Sequence, residues 1–267
     1  MDREAVVAGQ FYPGDPEELR EVIGTFVCKP ESVLEAKAVV VPHAGYVYSG
    51  AVAGQIFSTV HLPHRIILLG PNHTGRGEPL ALAPSGTWHM PLGKARIDEE
   101  MNQYLLKELS GLKEDSLAHR NEHSLEVQIP FIQVLQPDFR FSAICVRSID
   151  YAALEALGHA MARAIRSLRE PVLLVASSDM THYETAEEAS RQDKLAIDRI
   201  LAVDPGGLYK TVIEKDITMC GFAPAAAVLV ACRDLGASAG RLIRYTNSGE
   251  ASGDYRRVVA YAGIAVN

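Results

Sequence analysis

Arg65-Ile66-Ile67-Leu68-Leu69-Gly70-Pro71-Asn72-His73 contains an unbroken apolar run, Ile66 to Leu69, that stops at Gly-Pro and delivers a histidine. It is too short for a helix and does not alternate, which fits a strand covered on both faces. Ala38 to Val41 runs in the same way into Pro42-His43, and Val172 to Ala176 into Ser177-Ser178-Asp179-Met180-Thr181-His182. An open α/β sheet binds its ligands beyond the carboxyl ends of its strands. The three runs therefore predict both a sheet and the edge of it where chemistry is placed.

Working outward, further strands are expected at Leu80 to Ala83, Phe139 to Val146, Leu242 to Thr246 and Arg257 to Val266. Helices are expected at Pro16 to Phe26, Ser49 to Thr59, Asp98 to Leu109, Glu122 to Leu135, Tyr151 to Leu168, Glu187 to Ala202 and Ala223 to Leu235, from spacing and breakers. Alternation of the two predicts an α/β fold, a three-layer sandwich in which a central mixed, largely parallel sheet is flanked by helices. No linker or internal repeat divides the chain, so residues 1–267 are expected to form one domain.

The chain has 267 residues, 48% hydrophobic and 22% charged, enough to bury a full core. Its net charge of -7, without a Lys/Arg cluster, argues against nucleic acid or an anionic membrane as partner. The longest near-continuous apolar stretch, Phe222 to Cys232, is about half of the ~20 residues a membrane span requires. Cys28, Cys145, Cys220 and Cys232 lack CxxC or disulfide-framework spacing, and Met1-Asp2-Arg3-Glu4 begins no apolar signal segment. A cytoplasmic setting is the expectation.

His43 and His73, each just past a strand, are candidate metal ligands, against the alternative of hydrogen-bonded turn histidines. Cys220, in Thr218-Met219-Cys220-Gly221-Phe222-Ala223-Pro224, precedes an Ala-rich helix. Its thiolate would be favoured by the unpaired N–H groups and macrodipole of that helix start, so it is read as ligand or nucleophile, or else as a small buried hydrophobe. His123, with Glu126 one helical turn on, and His182, with Asp179 three residues before it, are candidates for acid/base work. Asp179 is expected to orient the His182 imidazole. Tyr46 or Tyr48 is expected to line the pocket. The other histidines, His61, His64, His89, His119 and His159, are taken as structural or solvent-exposed.

Ala8-Gly9-Gln10-Phe11-Tyr12-Pro13, Pro42-His43-Ala44-Gly45-Tyr46, Gly70-Pro71-Asn72-His73, Glu122-His123-Ser124-Leu125-Glu126, Ser177-Ser178-Asp179-Met180-Thr181-His182 and Cys220-Gly221 together resemble the ordered motif set of the Memo family. The resemblance covers nearly the whole chain. It implies a fold similar to LigB-type class III extradiol dioxygenases, with a single metal ion, iron or copper with zinc as the alternative, held by His43, His73 and Cys220. By the same resemblance, His123 and His182 stand where the dioxygenases keep acid/base histidines, and an AMMECR1-like protein and a radical SAM protein are implied as pathway partners. LigB-type enzymes carry a glutamate where this chain has Cys220, and a thiolate shifts metal preference and charge, so ring cleavage is not carried over with the fold.

Three functions are therefore compatible with the sequence. The first is a mononuclear metal redox enzyme, dioxygenase-like in fold, acting on a small organic substrate or dioxygen. The second is a non-catalytic peptide- or metabolite-binding protein on the same fold. The third is a metal-free cysteine hydrolase with Cys220 as nucleophile and His182 and Asp179 as base and orienter.

Overall fold

The computed structural model describes residues 2–267. Its strands are β1 (Asp2–Glu4), β2 (Ala38–Val41), β3 (Arg65–Pro71), β4 (Leu80–Leu82), β5 (Thr87–Met90), β6 (Gly93–Ile97), β7 (Lys113–Glu114), β8 (Arg140–Val146), β9 (Val172–Ser177), β10 (His182–Glu184), β11 (Gly240–Asn247) and β12 (Val258–Val266). The helices are α1 (Pro16–Phe26), α2 (Tyr46–Thr59), α3 (Glu99–Glu108), α4 (Ser116–His119), α5 (Ile129–Leu135), α6 (Tyr151–Leu168), α7 (Ala186–Leu201), α8 (Pro205–Glu214), α9 (Phe222–Asp234) and α10 (Gly249–Ser252).

One mixed sheet runs in the order β1-β5-β6-β8-β3-β9-β2-β12, with β11 on the far side of β12. Its centre, β8-β3-β9-β2, is parallel, and β12 closes against β2 antiparallel. Successive side chains leave a strand on opposite faces, and the two cores follow that period. Ala38, Val40, Ile67, Leu69, Leu174 and Ala176 face the layer that contains α6 and α9. Val39, Val41, Ile66, Leu68, Leu173 and Val175 face the layer that contains α2 and α5. Both faces are thus covered, which is why these strands read as continuous apolar runs rather than alternating ones. The three-layer α/β architecture is the one the sequence implies.

Local chemistry sets the helix starts. Asp15 caps α1 by accepting from Glu17 and Glu18 N–H, with Pro16 in the first turn, and Asp98, Asp150 and Thr185 cap α3, α6 and α7 in the same way. Between α6 and α9 the backbones approach closely at Gly158, where a Cβ would stand 2.6 Å from the Ala227 carbonyl oxygen and 2.5 Å from Val230 Cβ.

The departures from expectation include two helices. The helix expected from Glu122 starts only at Ile129, after a single 3-10 turn at Glu126–Gln128. Pro130 has no N–H and is tolerated only in a first turn, so the α-helix begins beside it, and Glu122 and His123 lie in a loop. Helix α8, absent from the sequence reading, starts on an Asp204 cap and runs through Pro205-Gly206-Gly207, residues that read as a break. Among the described residues no helix is long and apolar enough to cross a membrane.

Register places the site. Val41 is level with Ser177 on β9, and Leu69 with Ala176. The segments carrying His43, His73 and Asp179 therefore leave the sheet side by side.

Candidate metal centre

His43, His73 and His123 converge beyond the carboxyl ends of β2 and β3. One ring nitrogen from each lies within 4.8 Å of the others. The ring centroids of His73 and His123 are 4.7 Å apart and nearly parallel, and His43 stands edge-on to both at 5.1 and 5.6 Å. His43 is buried, His123 half-buried and His73 exposed, so the cluster opens to solvent on the His73 side. Burial, followed by the neighbouring imidazoles His73, His123 and His182, holds His43 well below the usual histidine pKa. Burial likewise lowers His123. Two neutral imidazoles with converging lone pairs are what a transition metal or zinc ion requires. The residues fit such an ion.

Cys220, set at the start of α9 by Gly221, brings its Sγ to 3.2 Å from His43 Nε2. Gly221 is obligatory here, because a Cβ would meet the Ser177 carbonyl oxygen at 2.3 Å. The helix start does not make a thiolate by itself: burial and then the Asp179 carboxylate push the Cys220 thiol well above its ordinary value. A thiolate at this position needs a cation beside it.

Asp179 does not orient His182. Its Oδ1 accepts the backbone N–H groups of His43, at 2.7 Å, and Ala44, at 3.3 Å. His182 is tied instead to Thr218, Nδ1 to the carbonyl oxygen at 3.0 Å and N–H to Oγ1 at 2.8 Å. Asp179 therefore positions the His43 backbone, and the Cys220–His182–Asp179 arrangement of a cysteine hydrolase is not assembled as drawn. Burial outweighs the two N–H bonds and raises the Asp179 carboxyl to about 6.

Glu122, Ser124, Gln128 and Ser177, none of them a site candidate from the sequence, are all buried here. The Glu122 carboxylate accepts His73 Nδ1–H at 2.8 Å and His73 backbone N–H at 2.6 Å. Burial would raise its pKa, but the His73 contacts, the Ser124 N–H and nearby His123 hold it at about 2. His43 Nδ1 lies 2.9 Å from Ser177 Oγ. The signal available in the sequence was polarity where the pattern calls for core: Ser177 ends a buried strand, and Glu122 sits inside the His123 motif.

Glu126 is structural. It is fully buried, forms a 2.7 Å ion pair with Arg3, accepts from Tyr12 Oη at 2.7 Å, and receives the Val6 and Val7 N–H groups. This anchors the Gly9-to-Pro13 segment, whose Phe11 ring then packs 4.9 Å from His123. Tyr46 is buried, donates to the Val127 carbonyl at 2.7 Å and packs tilted against Phe131 with ring centroids 4.7 Å apart, on the wall of a cavity it shares with Phe11 and Phe26, whereas Tyr48 remains exposed.

Fold and site together define an α/β protein with a histidine cluster, able to hold one metal ion, at the carboxyl edge of its parallel strands. The family described as Memo-like protein matches residues 3–265, and the chain belongs to that family. It is 40% identical to a MEMO1 family protein of Methanopyrus kandleri, the match covering 99% of this chain and 98% of that one. It is 39% identical to a MEMO1 family protein of Aquifex aeolicus, with 98% of each covered. Among solved structures, an uncharacterized protein of Escherichia coli K12 shares the fold at a TM-score of 0.55 and 14% identity, over 85% of this chain and 99% of that one.

Proposed function

We propose that this chain is a metal-dependent redox protein holding a single iron or copper ion and acting on a small organic substrate or on dioxygen. The observation that carries the reading is the convergence of His43, His73 and His123 at one strand edge, with Cys220 Sγ 3.2 Å from His43. His43 and His73 are the shared ligands. The third is Cys220, which a cation would deprotonate, with His123 left to move protons; His123 as third ligand is the competing arrangement. A bound ion of this type would supply Lewis acidity and a route for single electrons.

The protein's own groups would do the rest. The exposed side of the cluster, at His73, admits a ligand. His123 lies against His73 without a short bond of its own to Glu122, 3.5 Å away, and so can take up or give a proton as a ligand binds. His182 has its Nδ1 committed to Thr218, which leaves Nε2 as a proton acceptor. Catechol ring opening is not expected, since the thiolate replaces the carboxylate of the dioxygenase site.

The test is metal content. Protein isolated anaerobically from its own host should carry a stoichiometric ion that His43→Ala abolishes; protein isolated metal-free under those conditions sinks the reading. Cys220→Ser should then sharply lower Cu(I) affinity in competition titration while His123→Ala leaves it near wild type, and the reverse order would make His123 the third ligand.

A further inference from the structure

Ser177 sits where its hydrogen bonds can be counted to completion. A hydroxyl has one hydrogen to give and two lone pairs to receive with. Ser177 Oγ is 2.6 Å from the Ser124 carbonyl oxygen, which can only accept, so the hydroxyl hydrogen goes there. Gln128 Nε2 lies 2.9 Å from Ser177 Oγ and 2.9 Å from the Pro42 carbonyl oxygen, so the amide's two hydrogens are used on these two oxygens. The amide cannot be turned round, because its Oε1 would then face the Pro42 carbonyl oxygen. In the arrangement seen, that Oε1 is buried without a partner.

One lone pair of Ser177 remains, and His43 Nδ1 is 2.9 Å from it. That nitrogen must carry the hydrogen. In a neutral imidazole the other nitrogen is then bare, and it is His43 Nε2 that faces Cys220. On the other side of the cluster the Glu122 carboxylate has the same effect on His73, since a carboxylate only accepts. Ser124 joins the two halves. Its carbonyl oxygen takes the Ser177 hydroxyl, its N–H donates to Glu122 Oε1 at 2.9 Å, and its Oγ donates to the Pro71 carbonyl at 3.0 Å.

We infer that Ser177 is a positioning residue: with Gln128 and Ser124 behind it, it locks His43 in the Nδ1–H tautomer and so keeps the Nε2 lone pair directed at the metal position before any ion arrives. Outer-shell partners of this kind set ring orientation and tautomer, and their loss typically costs about 10–100-fold in metal affinity. The packing behind the cluster leaves room for this bridge. Gly70 lacks a side chain where a Cβ would stand 2.6 Å from Ser124 Oγ. The inference rests on the metal-centre reading above, but its first test does not require a metal.

In metal-free protein labelled with 15N at histidine, long-range 15N–1H correlation spectra should show His43 protonated on Nδ1 and bare on Nε2. A His43 found with its hydrogen on Nε2 overturns the inference outright. In Ser177→Ala the lock is gone: the spectrum should show mixed or inverted tautomers at His43, and zinc affinity in a chelator competition should fall at least about tenfold. Ser177→Thr, which keeps the hydroxyl and suits a strand, should restore both. Unchanged tautomer and zinc affinity in Ser177→Ala would refute the role. A wild-type protein with the Nδ1–H tautomer that takes up no zinc, copper or iron supports the positioning of His43 and removes the metal-centre reading instead.

Discussion

His119 shows how a single residue couples stability to pH away from the site. The sequence left it as structural or exposed; the structure buries it, Nε2 at 3.1 Å from the Ala81 carbonyl and Nδ1 at 3.4 Å from Cys145 Sγ. Burial dominates and lowers its pKa to about 4. The unfolded chain, with histidine near ~6.5, therefore binds the extra proton first. The contribution of neutral His119 is complete above that value and is lost as the pH falls toward about 4. Urea unfolding followed across this range should show a slope that His119→Gln flattens, by on the order of 3 kcal/mol at the acid end. An equal slope in the two proteins would show that other groups carry the acid sensitivity. The candidate ligands themselves were legible as residues. What was not legible was the second layer, since nothing in a linear sequence says that Asp179 reaches the His43 backbone rather than the nearby His182 ring.

At the scale of elements, the parallel strands and most helices could be read directly because period and capping agree with the fold. Pro16 to Phe26, Ala38 to Val41 and Tyr151 to Leu168 have the same limits in sequence and structure. The failures lie where tertiary bonding outweighs local preference. The Glu122 loop stays unwound because its carboxylate is occupied by His73 and Ser124 rather than by helix capping. The short strand β10 forms because Val258 and Val259 pair with it across a bulge, and its residues alone carry no strand signal. Helix α9 depends on an approach that only glycine permits in α6. Gly158→Ala should destabilise the fold by about 1–3 kcal/mol through overpacking, with zinc affinity unchanged, since neither helix face supplies a ligand. Unfolding midpoints and a zinc titration check both halves; a loss of affinity at full stability would mean that α9 shifts Cys220 as a rigid rod.

For the whole molecule, the N-terminal segment is the tie that holds the site loop in place. Arg3 is buried, pairs with Glu126, donates from Nε to the His119 carbonyl at 2.8 Å and from Nη2 to the Glu122 carbonyl at 2.6 Å, and lies 4.2 Å over the Trp88 ring. Removing one member of a buried ion pair leaves the other uncompensated, which typically costs about 3–5 kcal/mol. Arg3→Met should lower the unfolding free energy by roughly 3 kcal/mol. It should also weaken zinc binding, because the Glu122 loop loses its anchor while His43 keeps its own. Denaturant titration with and without zinc tests this; unchanged stability would show that Tyr12 and the Val6 and Val7 N–H groups alone satisfy Glu126.

His43 and Cys220 touch although 177 residues separate them in the chain. A ribosome adds about 5–20 residues per second, so on the order of 10 to 40 s pass between the synthesis of the first ligand and that of the thiol beside it. Throughout that interval the nascent chain carries the His43 imidazole without its neighbouring thiol, and for most of it without the β9 serine behind it. The contact between His43 and Cys220 is therefore a late product of synthesis, and any chain truncated before the start of α9 is born without it.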